Sequence, residues 1–582
     1  MEKVTAAALV VAGLIVLAGS LPATASRLSK KEEGHLPSIK RHCTRNRARL
    51  QSLFVLMPGV TEQLENIRAK DKGRPRKHVT ILGAGIAGLI AGYELNRLGH
   101  VVTILEGSNR VGGRAFTYRF KDGQYHELGA MRIPASHDYT RHYIQEMGLQ
   151  LRPFITAHKT LSPFYFIKGI RTTIKDAPKN LFPLFALSPT EQFVAAAAVA
   201  PAVMGLQFAD LIASLTTADK QALFSEGPMT ESVAQIERTS LGEFLEAHAH
   251  GPDTRELIGV TTGLEVWWDK ALSMFLRDEI VNTGDGLEEI VGGTDLLPST
   301  LAQKIPQKAI SLNVEITGIE AGDQPKLKVM SQENGQGTVE ADYVLCTIPF
   351  PVLRRIELVQ FSTRKLRAIR DINYASSTKV LLHCKQRFWE LNNGIFGGAS
   401  LSDLITRSTY YPSDNVAARP PQPLHLLAEL DGTETMTAQR SRLASRSINT
   451  TFALASTQGR QLELSSGPGV LVGSYNWGRD ARRLGELQPV NRAECVIRTL
   501  TNIHPEIRDS VDDAASMFWD ENKWAGAAFS FMRPNDMRDY YVDAIAPEGR
   551  VFFAGEHCSM DQAWMQGAAI SALRAVEDIV SR

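Results

Sequence analysis

Between His78 and Glu106 the chain reads HVTILGAGIAGLIAGYELNRLGHVVTILE. A β-branched run (Val79, Thr80, Ile81) meets Gly83-x-Gly85-x-x-Gly88. Apolar residues at helical spacing continue to Leu98. A second β-branched run, Val101 to Ile104, leads to Glu106, 18 positions after Gly88. This is the pattern of a βαβ unit, and it commits the chain to a parallel sheet with helices packed on it. Each part has a chemical reason. The glycines permit a tight turn and the close approach of a pyrophosphate. The helix N-terminus offers unpaired N–H groups and a partial positive charge. Glu106 can accept hydrogen bonds from ribose hydroxyls, so the unit predicts dinucleotide binding.

A chain of 582 residues exceeds one hydrophobic core, so two or three domains are expected. Its 43% apolar and 22% charged residues are those of a globular protein. A net charge of +1 gives no general attraction for nucleic acid, and no such partner is expected. The N-terminus stands apart. Lys3, the apolar run Ala6 to Leu17 and the small-x-small triplet Ala23-Thr24-Ala25 read as a secretory signal peptide over residues 1–25, cut after Ala25. An uncleaved anchor is the alternative, but Gly13 and Gly19 interrupt the run and it is short for a span of about 20 residues. The expectation is a secreted protein, with no membrane contact after cleavage.

Residues 26–77 are basic (Lys30, Lys31, Lys40, Arg41, Arg45, Arg47, Arg49, Arg74, Arg76, Lys77). They read as a solvated arm carrying an amphipathic helix from Leu50 to Ile67, or as a propeptide. The five cysteines (Cys43, Cys346, Cys384, Cys495, Cys558) form no CxxC pair, so no metal site is expected. Cys346 and Cys384 lie in apolar runs as buried thiols. One disulfide remains possible, with its pairing open. Asn449-Thr450-Thr451 is a glycosylation sequon.

From Gly148 to Leu272 the pattern is mainly helical, with a break at Phe182-Pro183-Leu184, an alanine-rich run from Ala195 to Ala202, and Trp267-Trp268 near its end. Ala309–Ile319, Val339–Thr347 and Gly549–Gly555 read as strands, and Ala563–Val580 as an amphipathic helix.

Just beyond Glu106 comes Val111-Gly112-Gly113-Arg114. A second glycine pair lets backbone approach a longer cofactor, and Arg114 can face a phosphate or a ring. GAGIAGL…LEGSNRVGGR resembles the flavin amine oxidase superfamily. His126-Glu127-Leu128-Gly129-Ala130-Met131-Arg132 is similar to its L-amino acid oxidase branch, and Phe553-Ala554-Gly555-Glu556-His557 with Gln562-Ala563-Trp564-Met565-Gln566-Gly567-Ala568 to its closing signature. The resemblance runs from about residue 78 to the C-terminus, with specific ends and a weak middle.

Taken with the leader that predicts secretion, the resemblance implies a secreted FAD-dependent L-amino acid oxidase, built as an α/β fold. A discontinuous Rossmann-like FAD domain (78–130, 273–347, 546–582) would join a mixed-sheet substrate domain (131–147, 348–545) and a helical insertion (148–272). To the cofactor it assigns Gly83, Gly85, Ile86, Ala87, Gly88, Glu106, Gly112, Gly113, Arg114, Gly129, Ala130, Met131, Arg132, Val314, Gly555, Glu556, Trp564 and Met565. Arg132 would also clamp the substrate carboxylate, since guanidinium presents two parallel N–H groups to it. Tyr410 and Tyr411 resemble the segment that brings a tyrosine hydroxyl to the same carboxylate, with Tyr411 favoured. Trp564 would wall the substrate, and Ala563, where the branch often has glycine, would offer a carbonyl to the amino group.

Lys365 looks like the catalytic lysine that holds a water near the flavin. His126 and His557 lie near motifs, but no histidine base is assigned. Gly526–Ala528 and Gln562-Ala563 carry no thiol where related enzymes tether their flavin, so FAD is expected to be non-covalent. The partners implied are an L-amino acid, O2 and a second copy in a homodimer. Two rivals share the chemistry: an amine oxidase without carboxylate recognition, and an amino acid monooxygenase. A flavin-binding protein without turnover is a third reading.

Overall fold

The computed structural model describes residues 59–156, 163–188, 208, 211–248, 251–282, 286–331, 335–415 and 466–582. The leader, the arm before residue 59, Cys43, residues 195–202 and the sequon at Asn449 lie outside the described residues.

Helix α1 (Val60–Asp71) is the end of the basic arm. Val60, Leu64 and Ile67 recur at spacings of four and three, so they share one face. That face is buried in the same core as Ile579 and Val580. Each such side chain contributes about 1.5–3 kcal/mol, enough to make this part of the arm a piece of the globular body.

Strand β1 (His78–Leu82), helix α2 (Ile86–Arg97) and strand β2 (Val101–Leu105) form the βαβ unit. The strands run parallel, from His78 opposite Val101 to Leu82 opposite Leu105. Ile310–Ser311 adds outside β2, and Tyr343–Cys346 then Val551–Phe553 add beyond β1, giving a five-stranded parallel sheet. Segments far apart in sequence therefore meet in one sheet, and the α/β fold is discontinuous. Near-continuous burial along β1 is what a sheet covered on both faces requires.

After β2, strands β3 (Thr117–Arg119) and β4 (Tyr125–Glu127) form a hairpin, and helix α3 (Asp138–Glu146) follows. The helical insertion starts its helices with the expected chemistry: Thr216 and Ser240 each close a capping box with an acid three residues on. Its core includes Leu223, Val233, Leu241, Phe244 and Ile258. Helix α4 (Leu272–Asn282) also supplies Leu272, Phe275 and Leu276 to it. The helical unit thus runs past the boundary drawn at residue 272, because the i, i+3, i+4 face of α4 packs there.

Helix α5 (Thr363–Asp371) is followed by five strands of a seven-stranded mixed sheet, whose other two strands, Phe164–Ile167 and Ile170–Thr173, come from the segment read as the helical insertion. At the centre of the sheet are β5 (Ser377–Cys384), β6 (Ser408–Tyr410) and β7 (Gly469–Trp477). β5 pairs antiparallel with β7, placing Lys379 directly opposite Tyr475. Helix α6 (Met565–Ser581) closes the chain in the core shared with α1 and α2. Among the described residues no helix is long and apolar enough to cross a membrane, and no cluster of metal-ligating side chains occurs. Cys346, Cys384, Cys495 and Cys558 are buried free thiols, so none of these four forms a disulfide.

Candidate active site

The turn between β1 and α2 is shaped by its glycines. Gly83 has φ +104°, in the region that favours glycine. A Cβ on Gly88 would lie 2.0 Å from the Gly83 carbonyl oxygen, so only glycine lets α2 approach the strand. Gly85 has nothing within 4 Å of its Cβ position and caps α2 without a side-chain hydrogen bond. The start of α2 at Gly85 therefore opens onto space, while Ile86, Ala87 and Gly88 behind it are buried. Gly112 lies beside Gly85 in a parallel bridge, and its N–H donates to Ala84 O (2.8 Å). At the end of β2, the Glu106 carboxylate accepts from the Ala84 amide (2.7 Å) and from the Ser108 amide and hydroxyl (2.9 and 2.7 Å). The Val314 amide donates to the Glu106 carbonyl, placing Val314 alongside. An uncapped helix start, flanking glycines and an oriented carboxylate fit a pyrophosphate and its ribose.

The opening and closing motifs meet here. Arg114 donates to the Glu556 carboxylate (2.7 Å) and to Ala528 O (2.9 Å). Glu556 also accepts from the Ser530 hydroxyl (2.7 Å) and the Ala563 amide (3.0 Å). Burial raises the Glu556 carboxyl, but Arg114, His557 and these hydrogen bonds outweigh it and hold it below the usual range. Gly555 packs against His557, and Met565 starts α6 in the main core. A Cβ on Gly129 would lie 2.0 Å from Arg114 O, so the GAMR segment presses on the VGGR turn. Ala130 is half-buried and Met131 buried within it.

Arg132 is half-buried, and no carboxylate pairs with it among the described residues. Its guanidinium lies 5.9 Å from the Tyr410 ring centre. From Tyr410 a row of aromatic rings continues to Tyr475 (6.1 Å), Trp477 (4.4 Å further), Trp267 (6.1 Å further) and Phe529 (5.6 Å further). Tyr475 and Trp477 are two apart on β7 and so share a face.

Two expectations change. Tyr411, favoured over Tyr410, faces away: its hydroxyl is bonded to Ser400 Oγ (2.7 Å) and His504 Nε2 (2.6 Å) in another core. Neighbouring residues of an extended strand point to opposite faces, so Tyr410 meets Arg132 and Tyr411 cannot. Lys365 lies in a separate place. Its ammonium donates to Ala544 O (2.7 Å) under the Phe553 ring, and burial pulls it down to about 8. The lysine beside Arg132 is Lys379, whose ammonium donates to Gly129 O (2.7 Å) and lies 4.3 Å from the Tyr475 ring centre. Burial pulls Lys379 well below the ordinary lysine range. A lone lysine within the wholly buried β5 is the signal that would have found it.

Trp564 caps α6, and its indole Nε1 donates to Asp278 Oδ1 (2.9 Å). The His137 ring meets it edge-on at 5.0 Å. Ala563 before it has φ +71°. His126 and His557 are both buried, and burial pulls each down to about 3, so neither is a base near neutral pH.

A family model described as flavin containing amine oxidoreductase matches residues 86–580. The chain belongs to this family. Membership implies a flavin for the cradle around Gly85, Glu106 and Arg114. Flavin-dependent L-tryptophan oxidase RebO of Lentzea aerocolonigenes is 32% identical over 517 residues, spanning 87% of this chain and 98% of that protein. L-amino acid oxidase bordonein-L of Crotalus durissus terrificus is 29% identical over 520 residues, spanning 86% and 87%. The fold is shared with a putrescine oxidase solved with putrescine (TM-score 0.63, 16% identity, 87% of this chain and 100% of that one). It is shared also with the cyclohexylamine oxidase of Brevibacterium oxydans (TM-score 0.60, 17% identity, 87% and 99%).

Proposed function

We propose that the protein is a secreted L-amino acid oxidase with non-covalent FAD, converting an L-amino acid to its 2-oxo acid, ammonia and hydrogen peroxide. Arg132 carries this reading. A half-buried guanidinium with no acid partner among the described residues, backed by an aromatic ring, suits an incoming carboxylate. Relatives named as L-tryptophan and L-amino acid oxidases support it.

In this reading Arg132 grips the α-carboxylate and Tyr410 backs the guanidinium. Trp564 and the Tyr475–Trp477–Trp267 row receive the side chain and keep water out. Lys379, held by Gly129 O, takes the place earlier given to Lys365; its lowered affinity for a proton suits proton exchange near neutral pH. A flavin held by the Gly85 turn, Glu106 and Arg114 would supply the two-electron redox chemistry of this oxidation, with O2 as the final acceptor. Non-covalent binding is supported by the absence of a thiol at Gly526–Ala528 and Gln562-Ala563. Secretion rests on the leader ending at Ala25, and the homodimer on the resemblance alone.

The fold neighbours raise a second reading, an oxidase of amines without a carboxylate. Arg132 speaks against it, because such a substrate would leave the guanidinium unmatched. The test is Arg132→Met. The variant should purify with its flavin and lose kcat/KM for L-amino acids by roughly 2–5 kcal/mol of transition-state stabilisation. Wild-type kinetics in the flavin-loaded variant would overturn the assignment.

A further inference from the structure

Trp564 is held from a part of the chain that none of the motifs touches. Its indole N–H donates to Asp278 Oδ1 at 2.9 Å. Asp278 lies on α4, which is fixed in the core of the helical insertion by Leu272, Phe275 and Leu276. The second oxygen of the same carboxylate, Oδ2, pairs with Lys270 Nζ at 3.5 Å. Lys270 is buried, and its ammonium lies 5.8 Å from the ring centre of Trp267, a member of the aromatic row. One carboxylate thus links the two tryptophans, Trp564 directly and Trp267 through a lysine.

An indole N–H in a partly buried site needs an acceptor, and an ionised one is the strongest available. The space beside the indole is lined by the polar side chains of Arg277, Asp561 and Gln562. An indole released from Asp278 would find other partners there and could turn. His137 meets the ring only by its edge and cannot fix the direction of the N–H bond.

We propose that Asp278 is a positioning residue for the substrate: it fixes the rotation of the Trp564 indole and so sets the shape of the pocket from the helical insertion. The proposal rests on Trp564 being a wall of that pocket.

The test is a double-mutant cycle on the holoenzyme with L-phenylalanine and L-tryptophan as probes. Asp278→Ala should raise KM about tenfold, the scale of one charge-assisted hydrogen bond, with a smaller change in kcat. Trp564→Phe, which keeps a ring but removes the donor, should raise KM in the same direction. Adding Asp278→Ala to Trp564→Phe should then cost nothing more. Asp278→Asn keeps an oxygen acceptor and should recover most of the lost affinity, which a merely structural role for the salt bridge to Lys270 would not predict. If Asp278→Ala fails to load flavin, Asp278→Leu removes the acceptor while preserving helix and volume.

A wild-type KM in Asp278→Ala or Asp278→Leu, or full additivity of Asp278→Ala with Trp564→Phe, overturns the proposal and leaves the pocket reading standing. A wild-type KM in Trp564→Phe overturns the pocket reading itself. Wild-type enzyme inert to both amino acids overturns both.

Discussion

Ala563 shows how one residue can record a compromise. Its φ of +71° places an L side chain in the left-handed region, at a cost of about 1–2 kcal/mol relative to ordinary backbone. The conformation is imposed from both sides. The Ala563 amide donates to Glu556 (3.0 Å), and Trp564 must turn at once into the start of α6. Ala563→Gly removes the strain but gives the unfolded chain more freedom, worth about 0.4–1 kcal/mol in the other direction. The net expectation is a gain of up to about 1.6 kcal/mol, read as a higher thermal midpoint of the holoprotein. A lower midpoint would mean that the methyl group makes contacts outweighing the strain. The backbone conformation was not legible in the sequence, although the departure from glycine at this position was.

At the scale of elements, β5 links the site to the hairpin. Lys379 and His383 are four apart and so emerge on the same face of the strand. Lys379 reaches Gly129 O, while His383 bridges Asp122 in the β3–β4 turn (2.9 Å) and Asp512 in the neighbouring strand (2.5 Å). Burial lowers the His383 imidazole, but hydrogen bonds to Asp512 and Asp122 outweigh it, and the net shift is upward. A raised folded-state value means that this clamp contributes its full stability below about pH 6.5, the unfolded value, and loses it as pH rises through the folded one. The thermal midpoint of the wild type should therefore exceed that of His383→Gln most near pH 6, and the difference should shrink by pH 9. A difference that grows with pH would refute the clamp.

Local pattern made β1, α2, β2 and α6 legible, because strand and helix periods can be counted within a single segment. Choosing between Tyr410 and Tyr411 needed the parity of β6 against its neighbours, and a slip of one residue exchanges the faces. Choosing Lys379 over Lys365 needed the pairing of β5 with β7, joined across more than eighty residues. The aromatic row likewise draws Trp267, Tyr410, Trp477 and Phe529 from separate segments. No local pattern contains such contacts.

At the scale of the whole molecule, the site is closed by residues distant in sequence. Arg114 and Glu556 join the first motif to the last at 2.7 Å. The parallel sheet that supports them takes strands from residues 78–82 and 551–553 at its centre and edge. The helical insertion reaches in through Asp278 to Trp564. Within this frame the proposed role of Arg132 is to select a carboxylate. Its most direct test is anaerobic mixing of the flavin-loaded protein with L-phenylalanine or L-tryptophan, each against the amine that lacks only the carboxylate. Flavin absorbance should bleach with the amino acids, and at least about thirtyfold more slowly with the amines, the rate equivalent of losing roughly 2 kcal/mol. Equal bleaching by acid and amine would contradict the account.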